Sequence, residues 1–392
     1  MDIPKYATSG GLYMPEKDLG KGETQITVIS TNEEECKDYA ATLATEGFSC
    51  YIAREIPSGS DRPYQKNLFY TYTREDMHIF VTFLAEFHTV HIIAAPPCPL
   101  PSTEKPKTGT CVPSVTQCKI TAGMCYAIQM ADGSFLLLDS GIPNKEDEER
   151  LYAFLEKKST GKPRVSLWIF THPDMDHVMM AAGFLKDYRE KVEIDAFAYQ
   201  FSDLNKDNLV YDSSEKIQGN ADLIEASIRE NYPSSIVYTL RTGQRYLFSG
   251  AEVEILWTGY MLYPYPILTA NYMSATLRVH FDNGKTALFM GDAEQYVSKQ
   301  MACAYRDYLK SDILQVAHHG LIGGDVDAYA LIDPAICLWA TSKERFLGKN
   351  EKRFKWCLGE GGCDFNRLIR DDSIRKREHY HLGETVTIPM NS

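Results

Sequence analysis

The sequence predicts an α/β protein, a layered sandwich of mixed sheets with a smaller α+β unit ahead of it. Three observations carry this. From about residue 112, apolar runs such as VSLWIF and DILQV alternate with amphipathic helical segments and tight hairpins. Ahead of residue 96, one helical segment is followed by several strand-like runs. Between them, PPCPLPSTEKP (96–106) holds five prolines, which stiffen the chain and prevent regular pairing. The expected division is an N-terminal extension (1–24), a small α+β domain (25–95), a Pro-rich linker (96–111) and a main domain (112–392).

In the first unit, TQITVIS (24–30) reads as a strand. TNEEECKDYAATLATEGF (31–48) reads as a helix, with an Asn cap, an acidic first turn and a stop at Gly47. CYIAREI, NLFYTYT, MHIFVTFL and FHTVHIIAA follow as strands, the last two joined as a hairpin around Ala85 and Glu86. His88 and His91 lie three apart and face opposite sides of a strand, so they make a poor joint metal site. In the second unit, VTQCKI and MCYAIQM-ADG-SFLLLDSG (124–141) read as strands, with Asp132-Gly133 as a turn. Helices are expected over 144–159, 178–190 and 294–309. Strands are expected at 165–171, across the hairpin 276–292, at 312–320 and at 336–341.

Composition narrows the function. Hydrophobic residues at 44% and charged residues at 24% describe a packed globular chain and exclude a disordered or collagen-like one. Lys plus Arg number 41 against 53 Asp plus Glu, a net charge of -12, which disfavours a long non-specific nucleic-acid track. There is no 18-residue apolar run and no signal-like N-terminal core, so a cytoplasmic protein without a membrane partner is expected. Ten cysteines lack CxxC spacing and read as reduced thiols. GKGETQ (20–25) lacks the GK[ST] ending of a phosphate-binding loop.

The chemistry concentrates in THPDMDHVM (171–179), directly after the apolar run VSLWIF. His172, Asp174 and Asp176 converge if this loop is extended, and His177 enters from the next turn. Imidazoles and carboxylates suit zinc, manganese or iron, and close acids suit two ions sharing a bridge. The competing role for Asp176 is to cap a helix starting near Val178. LFMGDAE puts Asp292 after a strand, where a carboxylate needs a partner, either a metal or a helix N-terminus. LQVAHHG ends another strand on His318 and His319; adjacent residues there point apart, so one of the two is expected to reach a metal.

In their order, LLLDSG, HPDMDH, GDAE and AHHG resemble the metallo-β-lactamase fold superfamily over about residues 113–345. The pattern is most similar to the ComEC-type branch, with HxDxDH where the wider family has HxHxDH. The resemblance implies an αββα sandwich with a metal site on one sheet edge. It implies His172, Asp174, Asp176 and His177 as the first ligand cluster, Asp292 as a bridging acid, and His318 or His319 as the late histidine. It further implies two zinc ions (manganese or iron as alternatives), Asp176 as the residue orienting the nucleophile, and Asp139 as a support for one ligand. Asn271 and Ser274, in NYMSATLRV, match the branch's NxxS segment and would contact substrate or support the site.

Three departures stand out. Met179 and Met180 replace a glycine pair, with the prospect of a narrower pocket. Leu321 stands where a hydroxyl would sit. The mid-chain histidine has no convincing match, Asp203 being a weak candidate. Metals in such a cluster would activate water against a phosphorus or carbonyl centre. A phosphodiesterase acting on a small phosphorylated molecule or a short nucleic acid is the leading expectation. A lactone, thioester or amide hydrolase of the same fold, and a binding protein with a degenerate site, are the alternatives. GYMLYPYP (259–266) offers rings for stacking a base or sugar. KNEKRFKW (349–356) and RLIRDDSIRKREHYH (367–381) gather positive charge, and His379 and His381 share a face if their segment is a strand.

Overall fold

The alternating runs of the first unit form an antiparallel sheet in a computed structural model that describes residues 3–201, 209–321, 323–346 and 376–391. Its strands run in the order Leu12–Tyr13, Glu23–Ile29, Thr89–Ala95, Met77–Leu84, Lys66–Arg74 and Ser49–Pro57, with Lys17–Gly20 also paired to Glu23–Ile29. Residues 12–20 read from the sequence as a polar extension, yet they add two short edge strands. One helix, Glu33–Thr45, covers the sheet. Asn32 caps it by accepting from Glu35 N, and Cys36, Tyr39 and Leu43 are buried against Val28, Leu68 and Ile79.

Two further sheets face each other. The first runs Ile236–Thr239, Ala196–Tyr199, Arg164–Phe170, Phe135–Leu138, Tyr126–Gln129, Ser114–Gln117 and Val386–Pro389. The second runs Arg245–Phe248, Ala251–Trp257, Thr276–Phe281, Thr286–Phe289, Ile313–Gln315, Ile336–Ser342 and Glu378–Leu382. Leu136, Leu138, Leu167 and Ile169 of one meet Val253, Ile255, Leu277 and Phe289 of the other in a shared core. Phe135, Leu137, Trp168 and Phe170 turn the opposite way, onto helices Lys145–Lys158, Met175–Asp187 and Ser214–Asn231. Leu288, Leu314 and Trp339 do the same beneath helices Gln295–Tyr305 and Val326–Ile332. Strands buried on both faces need continuous apolar runs, which is why FLLL and VSLWIF do not alternate. The result is the αββα sandwich of the metallo-β-lactamase fold.

Local differences from the sequence reading have physical causes. The helix expected at 178–190 starts a turn earlier, at Met175, because Asp174 is extended and serves as its N-cap residue. The helix expected over 294–309 ends at Tyr305 and continues as the 3-10 turn Arg306–Leu309, after a left-handed φ of 48° at Arg306. The segment around HYHLGETVTI splits at Gly383: Glu378–Leu382 pairs with Ile336–Ser342, and Val386–Pro389 crosses to pair with Ser114–Gln117. GYMLYPYP begins as the 3-10 turn Gly259–Leu262. Met180 is fully buried, and Met179 packs with it in the helix–sheet layer, so the methionine pair fills core rather than the metal centre. The eight cysteines among the described residues are free. Among the described residues no helix is long and apolar enough to cross a membrane.

The first sheet is welded to the sandwich by apolar and charged contacts. Ile56, Phe69 and Leu84 join the core under the Gln295–Tyr305 helix, and Asn67 Nδ2 donates to Ala304 O at 2.8 Å. Arg54 reaches across to Glu254 Oε1 at 2.6 Å and to Gly243 O at 2.9 Å. Glu254 is 1% exposed and also meets His280, Arg278 and the Tyr308 hydroxyl. Burial would push this carboxyl up, but the His280 contact and the Arg54 and Arg278 charges hold it at about 2.

Removing one partner of so enclosed a charge is costly. Arg54→Ala is expected to lower unfolding free energy by about 2 kcal/mol, read from the urea midpoint at constant slope; an unmoved midpoint would refute the weld. The sign with pH follows from the depressed value. Stability from Glu254 is complete above the unfolded carboxyl range near 4.5 and drains as pH falls toward about 2. Glu254→Gln should therefore be less stable than the parent at pH 7, with the gap closing in acid.

Candidate metal centre

Four strand ends deliver the polar side chains. Asp139 follows Phe135–Leu138, and Thr171 and His172 follow its parallel neighbour Arg164–Phe170. Asp292 follows Thr286–Phe289, and His318 and His319 follow its parallel neighbour Ile313–Gln315. Parallel pairing points each pair of ends the same way, two from each sheet, so the groups gather at one edge of the sandwich. Across the seam, Ala275 N donates to Thr171 O at 2.9 Å, and within the second sheet His318 N donates to Gly291 O at 3.1 Å.

Two clusters of potential ligands form there: His172, His177 and Asp292, and Asp176, His177 and His319. Asp292 lies between them, its Oδ1 at 3.3 Å from His177 Nε2 and its Oδ2 at 3.3 Å from His319 Nε2. His319 Nε2 also lies 3.1 Å from Asp176 Oδ2. The extended-loop expectation is corrected in part. Asp176 and His177 occupy the first turn of the Met175–Asp187 helix, and it is this turn that aims them inward. Asp174 stands at the rim, one quarter exposed, with Oδ2 at 3.5 Å from His172 Nε2. His319 is in the clusters; His318 is outside them, its Nε2 at 3.8 Å from Asp292 Oδ2. Both residues sit at left-handed φ (48° and 54°), which turns the chain sharply after the strand.

The proton arrangement can be read from fixed partners. Asp139 is 2% exposed and accepts from Thr171 N at 2.8 Å, Thr171 Oγ1 at 2.8 Å and His177 Nδ1 at 2.7 Å. His177 thus carries its proton on Nδ1 and turns Nε2 to the cluster. With its proton given to Asp139, the Thr171 hydroxyl accepts from His172 Nδ1 at 3.1 Å, so His172 also presents Nε2. His319 Nδ1 donates to Ala340 O at 2.9 Å, leaving Nε2 inward. Asp139 holds the ring of His177 through the Nδ1 bond. Thr171, whose only sequence signal was its place beside His172, is the link the motif reading missed.

All three inward nitrogens (His172, His177 and His319 Nε2) and Asp292 Oδ1 are buried without a hydrogen bond. Nearby carboxylate oxygens lie within charge-pairing range, but at angles that make no bond. Three aligned imidazole nitrogens and shared carboxylates form a donor set that fits zinc, manganese or iron. The electrostatics agree with a site built for cations. Burial would raise Asp292 and Asp176, yet the surrounding histidines hold both well below the usual carboxylate range. Burial would lower His177 and His319, but Asp292 with Asp139 keeps the first high, and Asp292 with Asp176 carries the second up to about 10. Burial prevails at His318, which is lowered.

Ser274 supports the wall, its Oγ accepting from Asp292 N at 3.1 Å and lying 3.3 Å from His172 Nδ1. Asn271 instead donates to Glu294 Oε1 at 3.2 Å, beside Thr269 at 2.8 Å. Gly123 matters here: at φ 97° its Cα hydrogens face Asp176 O, and a Cβ would stand 2.0 Å from that oxygen. His379 accepts from Trp339 Nε1, and both it and His381 lie outside the two clusters. Asp203, residues 349–356, and residues 367–375 of the second basic segment lie outside the described residues.

Residues 120–250 match a family model described as the metallo-beta-lactamase superfamily. The match supports that superfamily. Within it fall the Asp139 strand end and the whole 172–177 cluster. No curated protein matches the chain. Among solved structures the chain is similar to zinc-bound PqqB from Methylobacterium extorquens, at 10% identity over 68% of this chain and 86% of that one, TM-score 0.38. It is similar to human tRNase Z, short form, at 11% identity over 73% and 98%, TM-score 0.35. A motif-mutant metallo-beta-lactamase from Cronobacter sakazakii gives 10% identity over 66% and 89%, TM-score 0.33.

Asp139 fixes the proton of His177 directly and that of His172 through Thr171. Asp139→Asn is expected to fold and to bind zinc about 10- to 100-fold more weakly. Competition with a chromophoric chelator measures this, and wild-type affinity in the variant would contradict the tautomer scheme.

Proposed function

We propose that the chain is a metal-dependent hydrolase, and that its substrates are phosphodiesters of small phosphorylated molecules or short nucleic acids. The observation that carries this reading is the ring of inward imidazole nitrogens without hydrogen bonds around Asp292. Members of the metallo-beta-lactamase superfamily are mostly metal-dependent hydrolases, and the 120–250 match supports the same class here. The HxDxDH order, with Ser274 beside His172, resembles the ComEC-type branch and favours phosphorus over carbonyl as the centre attacked.

In this proposal His172, Asp174 and Asp292 hold one ion, and Asp176, His177, Asp292 and His319 the other. Bound zinc would supply Lewis acidity, lowering the pKa of water and neutralising charge that builds on oxygen. The chain's own residues do the rest. Asp139 retains the proton on His177 Nδ1, and the Thr171 hydroxyl accepts that of His172. Asp176, anchored in the first helical turn and facing His319, orients the attacking oxygen and accepts its hydrogen bond. Asp292 spans both halves through its two oxygens. With net charge -12 the surface repels long polyanions, which suits a short or small substrate.

The test is a panel of bis(p-nitrophenyl) phosphate, p-nitrophenyl acetate and a γ-lactone, run with zinc or manganese and with Asp176→Ala beside the parent. Phosphodiester turnover lowered at least about 100-fold in the variant is expected. Ester or lactone turnover alone would replace phosphodiesters by carbonyl substrates. No turnover on any of them would sink the hydrolase reading.

A further inference from the structure

Gln315 interrupts the apolar run DILQVA as the last residue of the strand Ile313–Gln315, and it is 1% exposed. A lone amide in a buried strand is expensive unless its bonds are met. Here all four are. Oε1 accepts from Met290 N and Gly291 N, both at 2.8 Å. Nε2 donates to Gly291 O at 3.0 Å and to Val316 O at 2.7 Å. Two amide donors on one side and two carbonyls on the other allow a single orientation of the side chain.

These backbone groups lie where the ladder stops. Phe289 pairs with Gln315, and beyond that pair the strands diverge into the loops bearing Asp292 and His318–His319. Gly291, at φ 55°, makes the turn; a Cβ there would stand 3.1 Å from Thr171 and 3.3 Å from Ser274. Its carbonyl also accepts from His318 N. One amide therefore continues the sheet past its end and ties the residue before Asp292 to the residue before the AHHG turn.

We propose that Gln315 is a positioning residue that sets the spacing between Asp292 and His319, and thereby the geometry of the second ion. It touches no ligand atom and acts only through Met290, Gly291 and Val316. This rests on the metal-centre reading above.

The test titrates cobalt(II) into full-length parent, Gln315→Leu, Gln315→Glu and, as a control for loss of a buried amide elsewhere, Gln129→Leu (Gln129 Nε2 donates to Lys158 O). Visible absorption reports coordination, and thermal unfolding reports fold. Gln315→Leu is expected to weaken cobalt binding about 10- to 100-fold with an altered band pattern, whereas Gln129→Leu changes only the melting temperature. Gln315→Glu keeps both accepted bonds and should fall between, recovering toward the parent as lower pH protonates the acid and restores a donor. Should Gln315→Leu not fold, the pH-dependent partial defect of Gln315→Glu decides. A folded Gln315→Leu with parental affinity and spectrum overturns the proposal. If the parent takes no cobalt, the metal reading fails, and Gln315 is judged by the imidazole 15N shifts of metal-free His319: moved in Gln315→Glu supports positioning, unmoved refutes it.

Discussion

Asp292 is a carboxylate with 3% of its surface exposed, set where two sheets meet, and a charge buried there costs several kcal/mol unless it is paired. Its neighbours are the rings of His177, His318 and His319, with Asp176 facing His319 from the other side. Protonated histidines balance part of that charge. Cations seated among the inward nitrogens would balance it with better geometry, because those nitrogens make no hydrogen bond to the carboxylates they approach. Much else in the molecule follows from keeping this arrangement dry and rigid. The Asp139–Thr171 pair fixes ring protons, Ser274 braces the backbone at Asp292, and Gly123 lets the chain pass close behind Asp176.

Topology makes such a site affordable. Each side chain leaves the end of a parallel pair whose strands are buried on both faces, so the scaffold beneath is stiff. The turns that release the chain use left-handed conformations at Asp139, Gly291, His318 and His319, which bend it within one or two residues. Ladder bonds are lost at those turns, and side chains replace them: Asp139 for Thr171, Gln315 for Met290 and Gly291. The first sheet stands behind the Gln295–Tyr305 helix and braces it through Asn67, while the buried Arg54–Glu254 pair ties it to the strand Ala251–Trp257.

The chemical core was legible because its signals are local. HPDMDH, GDAE and AHHG each place their residues at a strand end within a few positions, and apolar runs fix those ends. Less legible was everything that depends on partners far away in sequence. The helix start at Met175 hid behind HPDMDH, where proline and four acids or histidines look like loop. Strands at 12–20 carry charge and glycine and gain their order only from pairing with Glu23–Ile29. The split of the C-terminal segment between two sheets depends on edges vacant in both, which no periodicity reveals. His319 lies in the clusters with its ring held by a hydrogen bond to Ala340, 21 residues away, which no local pattern reveals. Gln315 passed as a single polar residue in a buried strand, since its four partners are backbone atoms with no signature of their own.

The central claim is that the edge of the sandwich is a two-ion centre organised around Asp292. Crystals grown with zinc and measured on both sides of the zinc absorption edge test it most directly. The account predicts two anomalous peaks, one beside His172 and Asp292 and one beside Asp176, His177 and His319, both lost in Asp292→Ala. A density map without anomalous signal at this edge, or with zinc bound only elsewhere, would contradict it.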